Sequence, residues 1–208
     1  ISDGGVQEEI SQGAGRIAGH LGLNNLIMFF DANAIQLSTP TADVISEDTA
    51  AKYHAWNWNV MEIDGNDVEQ IRKALTAANQ ETSRPTLIIG HCVMGKGARK
   101  ADNSSYECNC ATHGAPLGGD AYINTVKNLG ADPENPFVIW EETAQLYESR
   151  KNELRTIVAE RRKDEAEWAA ANPEKAEMLK NWWENKLPEL PWDQIEQKPN
   201  GPTRNASA

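Results

Sequence analysis

The sequence predicts an α/β fold: a parallel sheet flanked by helices, with a helical appendage after it. Three observations predict this. Short apolar runs at residues 26–30, 60–63 and 86–89 alternate with stretches of helical periodicity. Strand–helix–strand alternation favours parallel strands joined by right-handed crossovers. After Pro136 the alternation gives way to a long charge-laced helical pattern.

Residues 8–22 read as a helix, because Ile10, Ala14, Ile17, Ala18 and Leu21 recur at helical spacing and Gly22 suits its end. Gly13, Gly15 and Gly19 lower helix propensity there, which implies close packing against a sheet or neighbour. Leu26-Ile27-Met28-Phe29-Phe30 is continuous and apolar, the pattern of a strand buried on both faces. Residues 60–63 give a second strand ended by Asp64-Gly65, and residues 67–79 a helix with Val68, Ile71, Leu75 and Ala78 inward. Pro85 introduces the third strand. Residues 95–117 form a loop rich in Gly, Asn, Ser and Cys, too long to be a passive connector. From 137 to about 186 the chain is helical, broken at Pro173, with Trp140, Leu146, Leu154, Ile157 and Val158 on one stripe. Residues 188–208 read as a linker. The predicted division is therefore a parallel-sheet α/β domain over 1–135, a helical appendage over 136–187, and the linker.

Composition narrows the function. A formal net charge of −11 argues against a nucleic-acid partner, since phosphate backbones are bound by clustered Lys and Arg. No apolar run reaches the length of a membrane span. Three cysteines, an odd number, point to a reducing compartment, with cytoplasm the default expectation.

The chemistry concentrates after the strands. Asp3-Gly4 precedes the first helix, and Asn33 and Ile35 follow the strand at 26–30. Ligands of open parallel sheets bind at the carboxyl ends of strands. A carboxylate, a carboxamide oxygen and a backbone carbonyl brought together there form a site for a hard cation. With two oxygens of a diphosphate and one water they make about six ligands, the number Mg²⁺ prefers. A strand-end turn plus a turn Asn is the plainer reading of the same residues. The helix opening near Glu8, whose N-terminus favours phosphate, and the adjacent Asp31 favour the ligand reading.

His113, in Thr112-His113-Gly114-Ala115-Pro116-Leu117-Gly118, is the candidate for hydrogen bonding or proton transfer. Gly114 lets backbone approach a ligand and Pro116 stiffens the loop. A solvated loop histidine is the alternative. Cys108, Cys110 and His113 have C-x-C-x₂-H spacing, without the second pair of a usual zinc site, and read as loop thiols. His20 reads as a structural histidine at a helix end, and His54 and His91, flanking strands, as packing residues. Trp140, Trp168, Trp182 and Trp183 read as helix-packing anchors.

Taken together, these residues resemble the transketolase family. Asp3-Gly4 through Asp31-Ala32-Asn33 resembles the thiamine-diphosphate motif, with Ser2 where that motif has Gly. Residues 18–26, Glu47-Asp48-Thr49-Ala50, residues 56–60 and residues 63–67 are similar to transketolase segments. His113-Gly114-Ala115-Pro116-Leu117-Gly118 is the most specific match.

The resemblance implies that Asp3, Asn33 and the Ile35 carbonyl hold Mg²⁺, or Ca²⁺ in its place. Gly4, Asn33 and His113 would contact thiamine diphosphate, and His113 would also face the sugar. Glu8 matches an acidic residue near a subunit contact. The implied activity is transfer of a two-carbon ketol unit from a ketose phosphate to an aldose phosphate, in a homodimer or a split-subunit dimer. Rival expectations are another thiamine-diphosphate enzyme, of dihydroxyacetone synthase or deoxyxylulose-phosphate synthase type, and a non-catalytic cofactor-binding module. The chain is also expected to be the central piece of a longer protein and inactive alone, the activating glutamate lying on a pyrimidine-binding domain beyond it.

Overall fold

The computed structural model describes residues 1–186 and 188–194. Most of the expected linker, 195–208, lies outside the described residues. The chain divides into two compact units, Ile1–Val138 and Ile139–Ala208.

In the first unit three parallel strands, β1 (Ile27–Ala32), β2 (Asn59–Asp64) and β3 (Thr86–His91), are arranged in the order β1-β3-β2. Ile27 and Asn59 both pair with Thr86, so the strands end level, at Ala32, Asp64 and His91. Ile1 and Ser2 run beside β1, with Ser2 bridged in parallel to Asp31. The level strand ends create one rim, and that rim carries the polar residues.

Only the central strand is buried on both faces: Thr86 through Gly90 are all buried. The expectation that residues 26–30 would be buried on both faces is corrected here, since Phe30 alone is buried in β1. A continuous apolar run marks a strand with covered faces but does not say which strand lies centrally.

The first helical stretch is two helices, α1 (Asp3–Gln7) and α2 (Glu9–Leu21), with a break at exposed Glu8. Asp3-Gly4 is thus the first turn of a helix rather than a strand-end turn. The Ser2 hydroxyl caps it by accepting from the Gly5 amide at 3.3 Å. Gly22, in the left-handed conformation at φ 62°, ends α2 as expected.

The buried face of α2 is Gly15, Ala18 and Gly19, not the isoleucine stripe; Ile10, Ile17 and Leu21 are exposed. The cause is aromatic. Tyr53 meets Trp56 and Trp58 edge-on at centroid distances of 4.9 and 5.1 Å, and the Trp58 indole donates to the Gly15 carbonyl at 2.8 Å. Such a cluster admits the helix only where it has no side chains. These aromatics, with Val6, Phe30, Leu87 and Ile89, form the core on one sheet face.

Helix α3 (Thr49–Ala55), which carries Tyr53, was not anticipated. Helix α4 (Val68–Gln80) covers the opposite face through Ala74 and Ala78 against Ile88. Val68 and Leu75, expected inward, are exposed, because the close approach again selects the small residues.

Residues 95–117 form a loop with one short 3₁₀ turn, Cys110–Thr112. Antiparallel backbone bonds tie it together, Tyr106 to Ala98 and Cys108 to Met94, each 2.9 Å. Helix α5 (Gly119–Asn128), also unanticipated, supports it: the Thr125 hydroxyl accepts from the Arg99 amide at 2.8 Å.

The second unit contains α6 (Glu141–Ala171) and α7 (Pro173–Trp183), with Pro173 at the first position of α7. The expected packing stripe and tryptophan anchors are exposed here, Trp182 at 77% and Trp183 at 80%.

A Cβ added at Gly19 would lie 1.8 Å from the Trp56 carbonyl oxygen, whereas at Gly13 it would meet nothing within 4 Å. Gly19→Ala should therefore destabilise the chain by about 1–3 kcal/mol through overpacking. Gly13→Ala should leave it unchanged or stabilise it by up to about 1 kcal/mol through helix propensity. Parallel thermal melts of the two variants check this; equal losses would refute the assigned helix face.

Candidate functional site

The rim is organised around Asp3. Its placement follows from the Ser2 cap and from Val6, which anchors α1 in the core at 2% exposure. Asp3 is itself buried. Its Oδ2 accepts a hydrogen bond from the Asn33 amide at 3.1 Å, across 30 residues of chain. The contact links the first turn of α1 to the end of β1.

Asn33 continues the network. Its Oδ1 accepts from the Ile35 amide at 3.0 Å, and its Nδ2 donates to Asp31 Oδ1 at 3.2 Å. Between Asn33 and Ile35, Ala34 has a positive φ of 63°. Positive φ is costly for a residue with a Cβ, and such outliers gather at functional sites. The turn continues through an antiparallel bridge between Ile35 and Pro40. The structure thus brings Asp3, Asn33 and Ile35 into one short constellation. Gly4 adjoins it on exposed backbone, and a Cβ placed there would meet nothing within 4 Å.

The electrostatics are unusual for a buried carboxylate. Burial pushes the Asp3 carboxyl above its ordinary value, bonds from the Asn33 and Ala34 amides pull it down, and the neighbouring Asp31 charge pushes it up again. Among the described residues, no Lys, Arg or His side chain forms an ion pair with Asp3. Cys92, beside Asp31, has its thiol pushed up to about 11 by burial and by the neighbouring Asp31, Asp64 and Asp3 carboxylates. This corner therefore concentrates negative charge and oxygen donors without a protein cation. A hard divalent ion fits that donor set.

Asp3 also lines a cavity of about 320 Å³, with Phe30, Ala32, Asp48, Glu62 and His91. His91 Nε2 lies 3.0 Å from Glu62 Oε2. Taken as a packing residue from sequence, His91 is instead an exposed side chain on the cavity wall at the end of β3. The available signal was its position immediately after an apolar strand.

His113 is not brought to this cavity. It follows the 3₁₀ turn on an exposed stretch, and Gly114 beside it has φ 76°. Cys92, Cys108, Cys110 and His113 do not converge: among the described residues no three His, Cys, Asp or Glu side chains are grouped to hold a metal ion. The Asp3 constellation, with one carboxylate, one carboxamide and one carbonyl, is a different kind of donor set. His20 and His54 are exposed rather than packed.

Comparison with known proteins decides the family. Residues 1–188 match the family described as transketolase, thiamine diphosphate binding domain. The chain belongs to the transketolase family. A Staphylococcus aureus transketolase is 34% identical over 202 residues, covering 93% of this chain and 29% of that protein. A dihydroxyacetone synthase of Pichia angusta is 34% identical over 193 residues, covering 88% of this chain and 26% of its own length. Among solved structures, a Pichia stipitis transketolase in complex with sedoheptulose 7-phosphate aligns at TM-score 0.79 and 29% identity, covering 95% of this chain and 28% of that one. A Leishmania mexicana transketolase aligns at 0.81 and 25% identity, with 95% and 29% covered. The chain thus spans under a third of the length of these transketolases. The α/β fold and its C-terminal helical part accord with the family. Among the described residues no helix is long and apolar enough to cross a membrane.

The raised Asp3 carboxyl fixes the sign of a stability test. Its protonated form favours the folded state, so the stability Asp3 confers is greatest below its ordinary value of 3.8 and is lost as pH rises through the higher folded value. Asp3→Asn, which cannot ionise, should raise the melting temperature at pH 7 without divalent ions, and the gain should shrink as pH falls toward 4. A variant less stable at pH 7, or a gain independent of pH, would refute the buried-charge account.

Proposed function

We propose that this chain is the diphosphate-holding part of an enzyme that transfers a two-carbon ketol unit from a ketose phosphate to an aldose phosphate. The supporting observation is the buried Asp3–Asn33–Ile35 constellation, rich in oxygen and lacking a protein cation, in a chain of this family. In this reading Asp3, Asn33 and the Ile35 carbonyl hold Mg²⁺, and Gly4 and Asn33 contact the diphosphate. When bound, thiamine diphosphate supplies the carbanion chemistry that moves the ketol unit; the protein supplies binding, orientation and electrostatics.

The resemblance to the transketolase family suggests the remaining roles. Gly4 leaves space for phosphate oxygens beside the first turn of α1. Ala34 turns the chain between Asn33 and Ile35, whose amide donates to Asn33 Oδ1. His113, on a loop braced by α5, meets the sugar and the outer part of the cofactor, donating hydrogen bonds to substrate oxygens. The working assembly is a dimer, with Glu8 near the subunit contact, in the cytoplasm. The similarity to the Pichia angusta protein favours one second reading, a dihydroxyacetone synthase type of activity, and comparison of acceptor substrates separates the two.

The test is made in the enzyme that carries this segment. Asp3→Ala should weaken thiamine diphosphate binding about 10- to 100-fold at limiting Mg²⁺, with partial recovery as Mg²⁺ rises. His113→Ala should lower turnover about 100-fold or more while changing cofactor affinity much less. Cofactor affinity unaltered by Asp3→Ala across a Mg²⁺ titration would overturn the metal assignment. Equal losses of turnover and affinity in His113→Ala would make His113 a cofactor clamp.

A further inference from the structure

The Asn33 carboxamide is held at both ends by groups of opposite character. Nδ2 donates to Asp31 Oδ1 at 3.2 Å, and Oδ1 accepts from the Ile35 amide at 3.0 Å. An ionised carboxylate can only accept a hydrogen bond, and a backbone N–H can only donate one. Rotating the carboxamide by half a turn would set its oxygen against the Asp31 carboxylate and its NH₂ against the Ile35 N–H. Both contacts would then be repulsive. The orientation matters because only the oxygen end can ligate a cation, and Oδ1 keeps a second lone pair after accepting from Ile35.

Asp31 is held in turn. Its backbone amide donates to the Ile1 carbonyl at 2.9 Å, and it pairs across the sheet with Gly90.

We propose that Asp31 is a positioning residue that fixes the Asn33 carboxamide with its oxygen end available to the divalent cation. The inference rests on the reading of Asn33 as a metal ligand. Asp31 itself touches neither cation nor cofactor in this account. Outer partners of this kind typically change metal affinity about 10- to 100-fold when removed.

Two variants separate orientation from charge. Asp31→Asn loses the charge but keeps an acceptor oxygen for Asn33 Nδ2; Asp31→Ala loses both. Mn²⁺ binding in the presence of thiamine diphosphate is followed by electron paramagnetic resonance. Asp31→Ala should weaken Mn²⁺ about 10-fold or more. Asp31→Asn should stay within about threefold of the unaltered chain, well short of that loss. Without metal, ¹⁵N NMR of the Asn33 side chain should show slowed NH₂ exchange in the unaltered chain and in Asp31→Asn, lost in Asp31→Ala. A merely structural role would not produce that pattern at one side chain. Equal weakening in the two variants, or an Asn33 signal unmoved by Asp31→Ala, would overturn the proposal. Mn²⁺ binding that is absent from the unaltered chain, or untouched by Asn33→Ala, would overturn the metal reading beneath it, while the metal-free signal would still report whether Asp31 orients Asn33.

Discussion

The hydrogen bond from the Asn33 amide to the buried Asp3 carboxylate is the constraint around which the rim of this domain is built. It joins the first turn of α1 to the residue just past β1, two segments 30 positions apart. It acts with the Ser2–Asp31 bridge and the Gln7–Gln36 side-chain bond, which also tie α1 to β1 and the loop after it. The bond also carries a cost, because it keeps a carboxylate out of water near a second carboxylate, Asp31. A fold that only needed to close this corner would do so more stably with a neutral acceptor. Strain at Ala34 points the same way, toward a corner shaped for something other than stability.

The rest of the domain serves to keep that corner rigid. The aromatic cluster of Tyr53, Trp56 and Trp58 accepts the glycine face of α2 and so fixes the helix that follows α1. The fully buried β3 brings His91 and Cys92 to the same end of the sheet as Ala32 and Asp64. Sheet ends, helix start and loop turns therefore meet where an anionic cofactor with a metal would be held. This is the usual arrangement of parallel sheets, with ligands outside the carboxyl ends of the strands.

Local chemistry was legible in the sequence and packing partners were not. Gly22 as a helix end and Pro173 as a breaker each act through their own backbone, and each lies where expected. The order β1-β3-β2 depends on contacts between distant segments, so the apolar run in β1 could not reveal that β3 lies centrally. Helix faces were legible in their small residues: Gly15 and Gly19 pack closely as their low propensity implies, and Ala18 and Ala78 lie on their expected stripes. Val68 and Leu75, expected inward, are exposed because the close approach of α4 to the sheet selects Ala74 and Ala78. Helix α3 spans only seven residues, too few for periodicity to rise above its polar surroundings. At the site, Asp3, Asn33 and Ile35 were recognisable by type and spacing, whereas the Glu62–His91 pair depends on strand register.

The central claim is that the Asp3 corner is a cation site serving a diphosphate. Its most direct test is a crystal structure grown with Mn²⁺ and thiamine diphosphate, with data collected at the manganese absorption edge. The account predicts one strong anomalous peak within ligating distance of an Asp3 carboxylate oxygen, Asn33 Oδ1 and the Ile35 carbonyl oxygen, with diphosphate oxygens completing the shell. A peak elsewhere on the chain, or ordered diphosphate with no metal at Asp3, would contradict it.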